Sequence, residues 1–366
     1  MPTLIVAAGG GGDAITGAAL AGQLDPAAQA VVMTYSWDRL MVDPLPGPRV
    51  AGHFDGLNEL AAGVVEIVAS TRPVPPAGSS LPRLAAELPA RLVLLDPSTG
   101  TAGLSEQIRA TAAYFHLDDI ALIDVGGDAI TTGSDPGLRS PLADQLALAA
   151  CVRTGIPAYL LIAGAGLDGE LREDVITERL AHLDAEFLPA LTGSDIDRVR
   201  HVFHWHPSEA SGLLAAAANG RRGLVEVRDA GDQVALTDAT TAIRAVEAKR
   251  AAATTPARLL IECATLDEAE QIIHDATGIS EIQYEGRKAA RLGGRRAEEP
   301  TADDLGTVDS HAAAARERGA DFISTRRLAE LLGATTLNAF AALPELLATS
   351  RPDHYEPSVY RTTARP

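Results

Sequence analysis

TLIVAAGGGGDAITGAAL, residues 3–20, decides how the rest of the chain is read. A branched aliphatic run reads as a buried strand, four glycines interrupt it, and alanine-rich sequence continues as a helix. The hexapeptide GGDAIT returns at residues 126–131, again directly after an apolar run. A strand that ends in glycine and passes into a helix opens a βαβ unit. Two such units in one sheet place both turns beyond the carboxyl ends of their strands, where open parallel sheets bind ligands.

Working outward, branched runs at residues 30–34, 64–69, 92–95, 120–125 and 159–163 read as further parallel strands. Later runs at 199–205, 224–227 and 259–263 read the same way. Helical patterns separate most of them, most clearly at 17–24, 105–115, 141–153 and 208–219. The expected fold is a Rossmann-like α/β domain over residues 1–290: an open, mostly parallel sheet with helices on both faces. Within it, residues 256–290 read as a small α+β unit. There Thr265 and Glu268 form a capping box for a helix ending near Gly278, and residues 279–284 read as a strand. Residues 73–82 form a Pro-, Gly- and Ser-rich loop, and 291–301 a linker. A helical C-terminal extension is expected at 301–350 and a tail at 351–366.

Of the 366 residues, 46% are hydrophobic but only 4% aromatic, so the core must be built from Ala, Val, Leu and Ile. The net charge of −18 argues against nucleic acid and anionic membranes as partners. Residues 321–336 resemble one helix of a helix-turn-helix, which the same acidity makes an ordinary amphipathic helix. Cys151 and Cys263 sit in apolar contexts and read as buried free thiols. No basic leader precedes the first apolar run, and no run reaches the ~18 residues of a membrane span. A cytoplasmic location is therefore expected, and self-association into a homo-oligomer is compatible with the sequence.

The glycine turns carry the chemistry. Backbone amides of Gly10, Gly11 and Gly12 precede a helix and suit an anion. The dinucleotide fingerprint is poor, because Asp13 would stand beside a pyrophosphate and no Walker lysine is present. In the second copy, Gly126 and Gly127 are further anion-cradle candidates, and Asp128 has company in Asp124 and Asp144. Ser140 caps the helix that Pro141 opens, and Asp144 lies in its first turn. A third turn places Gly164 and Gly166 after the 159–163 strand, followed by Asp168 and Glu170. Carboxylates such as Asp13, Asp128 and Asp144 converging on one edge suit Mg²⁺ bridging to a phosphate. His204 and His206, on one face of a strand by alternation, are candidates for moving a proton or holding a metal. No serine nucleophile elbow occurs.

These segments resemble the uncharacterised domain-of-unknown-function family 1152. The matching features are the strand and glycine turn ending in Asp13, the Asp124-Val125-Gly126-Gly127-Asp128 turn, and the Ser140-Pro141-Leu142-Ala143-Asp144 helix start. The resemblance spans roughly residues 1–290 and implies the fold and the location of the site, but no reaction. From the residues themselves, the expected function is an enzyme acting on a small anionic, phosphate- or nucleotide-bearing metabolite by hydrolysis or group transfer. Asp13, Asp128, His204 and His206 are the candidate catalytic groups. The alternatives are a non-catalytic nucleotide- or metabolite-binding regulator and an NAD(P)-linked oxidoreductase.

Overall fold

A computed structural model describes residues 2–26, 29–292 and 298–364. Its strands, in chain order, begin with β1 (Thr3–Ala7), β2 (Ala30–Thr34), β3 (Phe54–Asp55), β4 (Asn58–Ala61), β5 (Val64–Ile67) and β6 (Arg72–Pro73). They continue with β7 (Ala90–Leu94), β8 (Asp119–Val125), β9 (Ala158–Ala163), β10 (Glu186–Leu188) and β11 (Gly223–Glu226). The last are β12 (Gln233–Leu236), β13 (Ile243–Glu247), β14 (Phe322–Ser324), β15 (Tyr355–Glu356) and β16 (Val359–Arg361).

Nine of these form one mixed sheet in the order β10-β13-β9-β8-β1-β2-β7-β5-β4. Strands β9, β8, β1, β2 and β7 are mutually parallel and form its centre. The flanks are antiparallel: β13 on β9, β10 on β13, β5 on β7, and β4 on β5. Residues 64–67 are thus a strand, but an antiparallel one, and the sheet is mixed with a parallel core. Chain succession runs one way from β1 through β2 to β7 and the other way from β1 through β8 to β9. The switch falls between β1 and β8, which are the two strands that end in GGDAIT.

Parallel strands need both faces covered. Leu4 and Val6 belong to one apolar cluster, with the Gly100–Phe115 and Pro141–Thr154 helices, while Ile5 and Ala7 belong to the other, with the Gly11–Leu24 helix. The Pro141–Thr154 helix is buried almost all round, which is why its sequence shows no polar face. Cys151 and Cys263 are free and buried.

A second sheet, β12-β11-β14-β16-β15, joins residues 223–236 to the C-terminal segment. The region beyond 301 is therefore not purely helical, because β14 is the middle strand of this sheet. Within the expected 351–366 tail, residues 351–364 are structured: β15 and β16 form a hairpin, with Tyr355 and Tyr360 buried in the adjoining apolar cluster, and the last two residues lie outside the described residues. The 224–227 strand exists but belongs to this second sheet.

Three expected strands are helical. Residues 200–204 form a short 3-10 helix. Val199, Val202 and Phe203 are buried while His201 and His204 face outward, a spacing of three and four that outweighs the apolar content of the run. Residues 257–260 form a short helix, and Glu281–Leu292 a long amphipathic one. The 256–290 region is thus built of helices joined by turns, without the expected strand. The Thr265 cap is as expected: its side chain accepts from the Glu268 amide, and Gly278 ends the helix in a left-handed conformation. The 291–301 linker falls partly outside the described residues. Among the described residues no single helix is long and apolar enough to cross a membrane.

Candidate functional site

Both GGDAIT turns open onto one cavity of about 120 Å³ beyond the carboxyl ends of β1 and β8. Asp13, from the first turn, and Asp124 and Asp128, around the second, line it together with Asp144, Asp168 and Glu170. Ser140, at the N-terminal boundary of the Pro141–Thr154 helix, stands at its edge; its hydroxyl makes no cap bond to the helix and donates to Glu170 instead.

The two turns use their glycines differently. At the first, Gly10 caps the Gly11–Leu24 helix. The Gly9 amide donates to Asp13 Oδ2 at 2.8 Å. The amides of Gly10, Gly11 and Gly12 have no protein acceptor among the described residues and border the cavity. Gly10 and Gly12 are also packing requirements. A Cβ would lie 2.6 Å from the Trp37 carbonyl oxygen at Gly10 and 2.4 Å from Ser208 Oγ at Gly12.

The second turn is not an anion cradle. The Gly126 amide donates to Ala163 O, and the Gly127 and Ala129 amides donate to the two oxygens of Asp124 at 3.1 Å each. One of these donors closes the strand pairing and the other two orient a carboxylate. Gly126 (φ +139°) is needed because a Cβ there would sit 2.2 Å from Asp168 Oδ2. Gly164 and Gly166 likewise adopt positive φ, and neither borders the cavity. Their contribution is the turn that carries Asp168 and Glu170. Gly126→Ala is expected to cost about 2–3 kcal/mol from backbone strain and the displaced carboxylate, read as a lowered melting temperature.

Charge is concentrated here to an unusual degree. Asp124, Asp128 and Asp144 each offer an oxygen within 4.8 Å of the others, an arrangement that could hold a metal ion. Asp128 and Asp144 are each 6% exposed, and among the described residues no donor reaches either carboxylate. Lost hydration raises the pKa of Asp128 well above its ordinary value, with Asp144 adding repulsion; the same holds for Asp144, with Asp124 and Asp13 adding. Asp13 is pushed up to about 8 by burial and then by Asp124, and Asp168 to about 8 by burial and then by Glu170. Asp124, despite its two amide donors, is raised to about 6 by burial. Asp168 Oδ1 accepts the Glu170 amide, and its sheltered Oδ2 has no partner. Glu170 is held by the Ser140 hydroxyl and by the amides of Arg139 and Ser140.

The structure separates the two histidines. His204 faces an open surface groove with Arg83 and Glu87, away from the acidic cavity. The short helix, unlike the expected strand, does not put it on the side of His206. His206 does line the cavity, but both ring nitrogens are occupied. Nδ1 accepts the Ser208 amide, so Nε2 carries the proton and points to Ser80 Oγ at 3.2 Å. Burial, followed by Arg326, depresses its pKa to about 3. It is a neutral bracket for Ser80, which in turn donates to Asp38 Oδ1 at 2.6 Å. Trp37 and Tyr35 are buried, with Trp37 Nε1 donating to Glu285.

Several residues around the cavity are not singled out by the sequence. Glu281 and Glu285 lie on the Glu281–Leu292 helix, whose first residues read as a strand, and stand just beyond the cavity lining. Glu281, raised to about 8 by burial and then Glu285, accepts the Leu142 amide at the start of the Pro141–Thr154 helix. Arg39, Arg228 and Arg326 add cations at the cavity wall. They come from three distant parts of the chain, and only the fold brings them together.

A family model described as a protein of unknown function, DUF1152, matches residues 4–289. The chain belongs to the DUF1152 family. No curated protein and no solved structure matches it. The DUF1152 segment contains every carboxylate of the cavity floor, along with Arg39 and Arg228. Arg326 lies beyond that segment and reaches back to it, donating to Pro207 O at 3.3 Å.

Proposed function

We propose that this protein is a divalent-cation-dependent enzyme acting on a small phosphate-bearing metabolite, by hydrolysis or group transfer. One observation carries the reading. Asp128 and Asp144 are buried together without a hydrogen-bond donor, beside Asp124 and next to the unpaired amides of Gly10, Gly11 and Gly12. Buried carboxylates in contact must be protonated or must share a cation, and oxygen-only ligands suit Mg²⁺ or Mn²⁺. Asp124, Asp128 and Asp144 would hold the ion. A bound divalent ion would neutralise the carboxylates and polarise a phosphoryl oxygen.

The chain's own groups then divide the remaining tasks. The free amides of Gly10, Gly11 and Gly12 bind phosphate oxygens at the helix N-terminus. Asp168 lines the cavity with a carboxyl that burial holds protonated to about pH 8, and on this reading it gives that proton to a leaving oxygen once its sheltered Oδ2 turns from Gly126 toward the ligand. His206 fixes the wall through Ser80.

The parallel strand order, three-two-one-four-five in chain succession, is that of Rossmann-like dinucleotide-binding sheets, and we take that kinship as part of this proposal. It keeps an NAD(P)-linked reading in view, but two features disfavour it. Asp13 stands in the turn a pyrophosphate would use. Asp38, just past β2, already has both oxygens held by Ser80, which turns the carboxylate to a structural partner and not to a ribose hydroxyl. The test is a thermal-shift series with Mg²⁺, Mn²⁺ and Ca²⁺, followed by a phosphate-release screen over phosphorylated metabolites with and without EDTA. Cation-dependent stabilisation and EDTA-sensitive turnover are expected. Ligand binding with no turnover on any substrate would favour the non-catalytic regulator, and no response to any cation would end the metal-dependent reading.

A further inference from the structure

A second chamber of about 300 Å³ adjoins the acidic one, and Arg39, Ser140, Glu170, Arg228 and Arg326 line both. Its walls add Arg139, Arg327 and Lys288, so the outer chamber is rich in cations where the inner one is rich in carboxylates. The acidic groups at the junction and on the facing helix are engaged in holding the fold. Glu170 takes Ser140, Glu281 takes the Leu142 amide, and Glu285 takes Trp37 Nε1 and the Gly47 amide.

Arg39 is exposed to solvent at the chamber wall. Among the described residues its guanidinium makes no hydrogen bond or ion pair, although the fields of Glu285, Glu281, Glu170 and Asp128 act on it. Its five donors stand at the junction of the chambers. Arg326 is 6% exposed, donates to the Pro207 carbonyl, and has an Nε with no hydrogen-bond acceptor; the Glu330 carboxylate stands 3.5 Å from it. A guanidinium buried that far with so loose a partner is left for something else to satisfy.

The geometry points to a second anion subsite in the outer chamber, formed by Arg39 and Arg326, so that the ligand carries two anionic groups, one at each end. This rests on the reading of the inner chamber as a cation and phosphate site. It specifies the substrate class as a bis-anionic metabolite, with a phosphate on the floor and a second phosphate or carboxylate against the arginines. It also makes the segment beyond the family match part of the binding site, since that segment supplies Arg326.

Equilibrium dialysis of inorganic phosphate under saturating Mg²⁺ tests it by stoichiometry. The wild-type chain is expected to bind two phosphates. Arg39→Met should weaken one site about tenfold or more, the loss of a charge-assisted hydrogen bond. Arg39→Lys should recover part of it, and Arg326→Met should weaken the same site. Asp128→Asn combined with Asp144→Asn should remove the other phosphate only. A single phosphate that is insensitive to Arg39→Met but lost with the aspartate pair would overturn the second subsite and leave the inner site standing. A single phosphate lost with Arg39→Met but kept by the aspartate variant would overturn the inner-site reading, and no bound phosphate would overturn both.

Discussion

With Asp128 and Asp144 both replaced by asparagine, the chain is expected to lose divalent-cation binding and to melt at a higher temperature than wild type in EDTA. Turnover should fall by about three orders of magnitude, a barrier increase of about 4 kcal/mol. The two changes in opposite directions share one cause. Each carboxylate is more than nine-tenths buried, receives no donor from the described residues, and offers an oxygen within 4.8 Å of Asp124 and of its neighbour. Without a cation, the pair can be tolerated only by binding protons or bearing the repulsion. Asparagine is nearly isosteric, removes the charge, and brings amide donors that Asp124 and Glu170 can accept. Removing a residue from a well-satisfied polar network would do the reverse. Calorimetric titration with Mn²⁺ and melts in EDTA check both halves. A variant that melts lower than wild type and keeps its Mn²⁺ affinity would show the carboxylates to be structural.

Wild-type protein without metal should lose stability as pH rises, against the usual acid-denaturation trend. Asp13, Asp168 and Glu281 are each raised to about 8 by burial, and Asp124 and Asp38 to about 6. An acid whose pKa is higher folded than unfolded binds more protons in the folded state between the two values. Stability is therefore fully present below the unfolded pKa of roughly 4 and is lost as pH climbs through the folded one. At about 1.4 kcal/mol for each tenfold difference in proton affinity between the folded and unfolded chain, one group raised to about 8 loses about 4 kcal/mol from about pH 5 to about pH 8, so even a fraction of the combined effect gives a loss of at least about 3 kcal/mol. For a chain of this size that is about 5 °C in melting temperature. Saturating Mg²⁺ should flatten the profile, because a cation replaces the protons. A melting temperature that climbs from pH 5 to 8 in EDTA would contradict the assignment of these buried acids.

Much of the architecture could be read from the chain because the central strands are covered on both sides. Continuous runs such as Leu4-Ile5-Val6-Ala7 leave little alternative. The meeting of Asp13 and Asp128 followed from the same logic, since both turns end strands of one parallel set. What failed to read did so for identifiable reasons. Residues 199–205 contain enough branched and aromatic side chains to resemble a strand, but their apolar positions repeat at three and four. Glu281 and Glu285 were hidden by the same ambiguity. The second glycine turn looked like the first, yet whether amides face a ligand or a carboxylate depends on φ at Gly126 and on where Asp124 points. Arg39, Arg228 and Arg326 carry no local signature at all.

The second sheet has a further implication for how the chain can be divided. Strand β11, inside the family segment, is sandwiched between β12 and β14, and β14 comes from beyond it. A fragment cut at the family boundary would strip β11 of that neighbour and leave an unprotected row of backbone donors and acceptors alongside Val225 and Glu226, both fully buried in the intact chain. Such an edge recruits other chains. The shorter piece is thus not a smaller version of the protein but a sticky one, and any assay of the family segment needs the chain beyond residue 289 to keep it apart from its own copies.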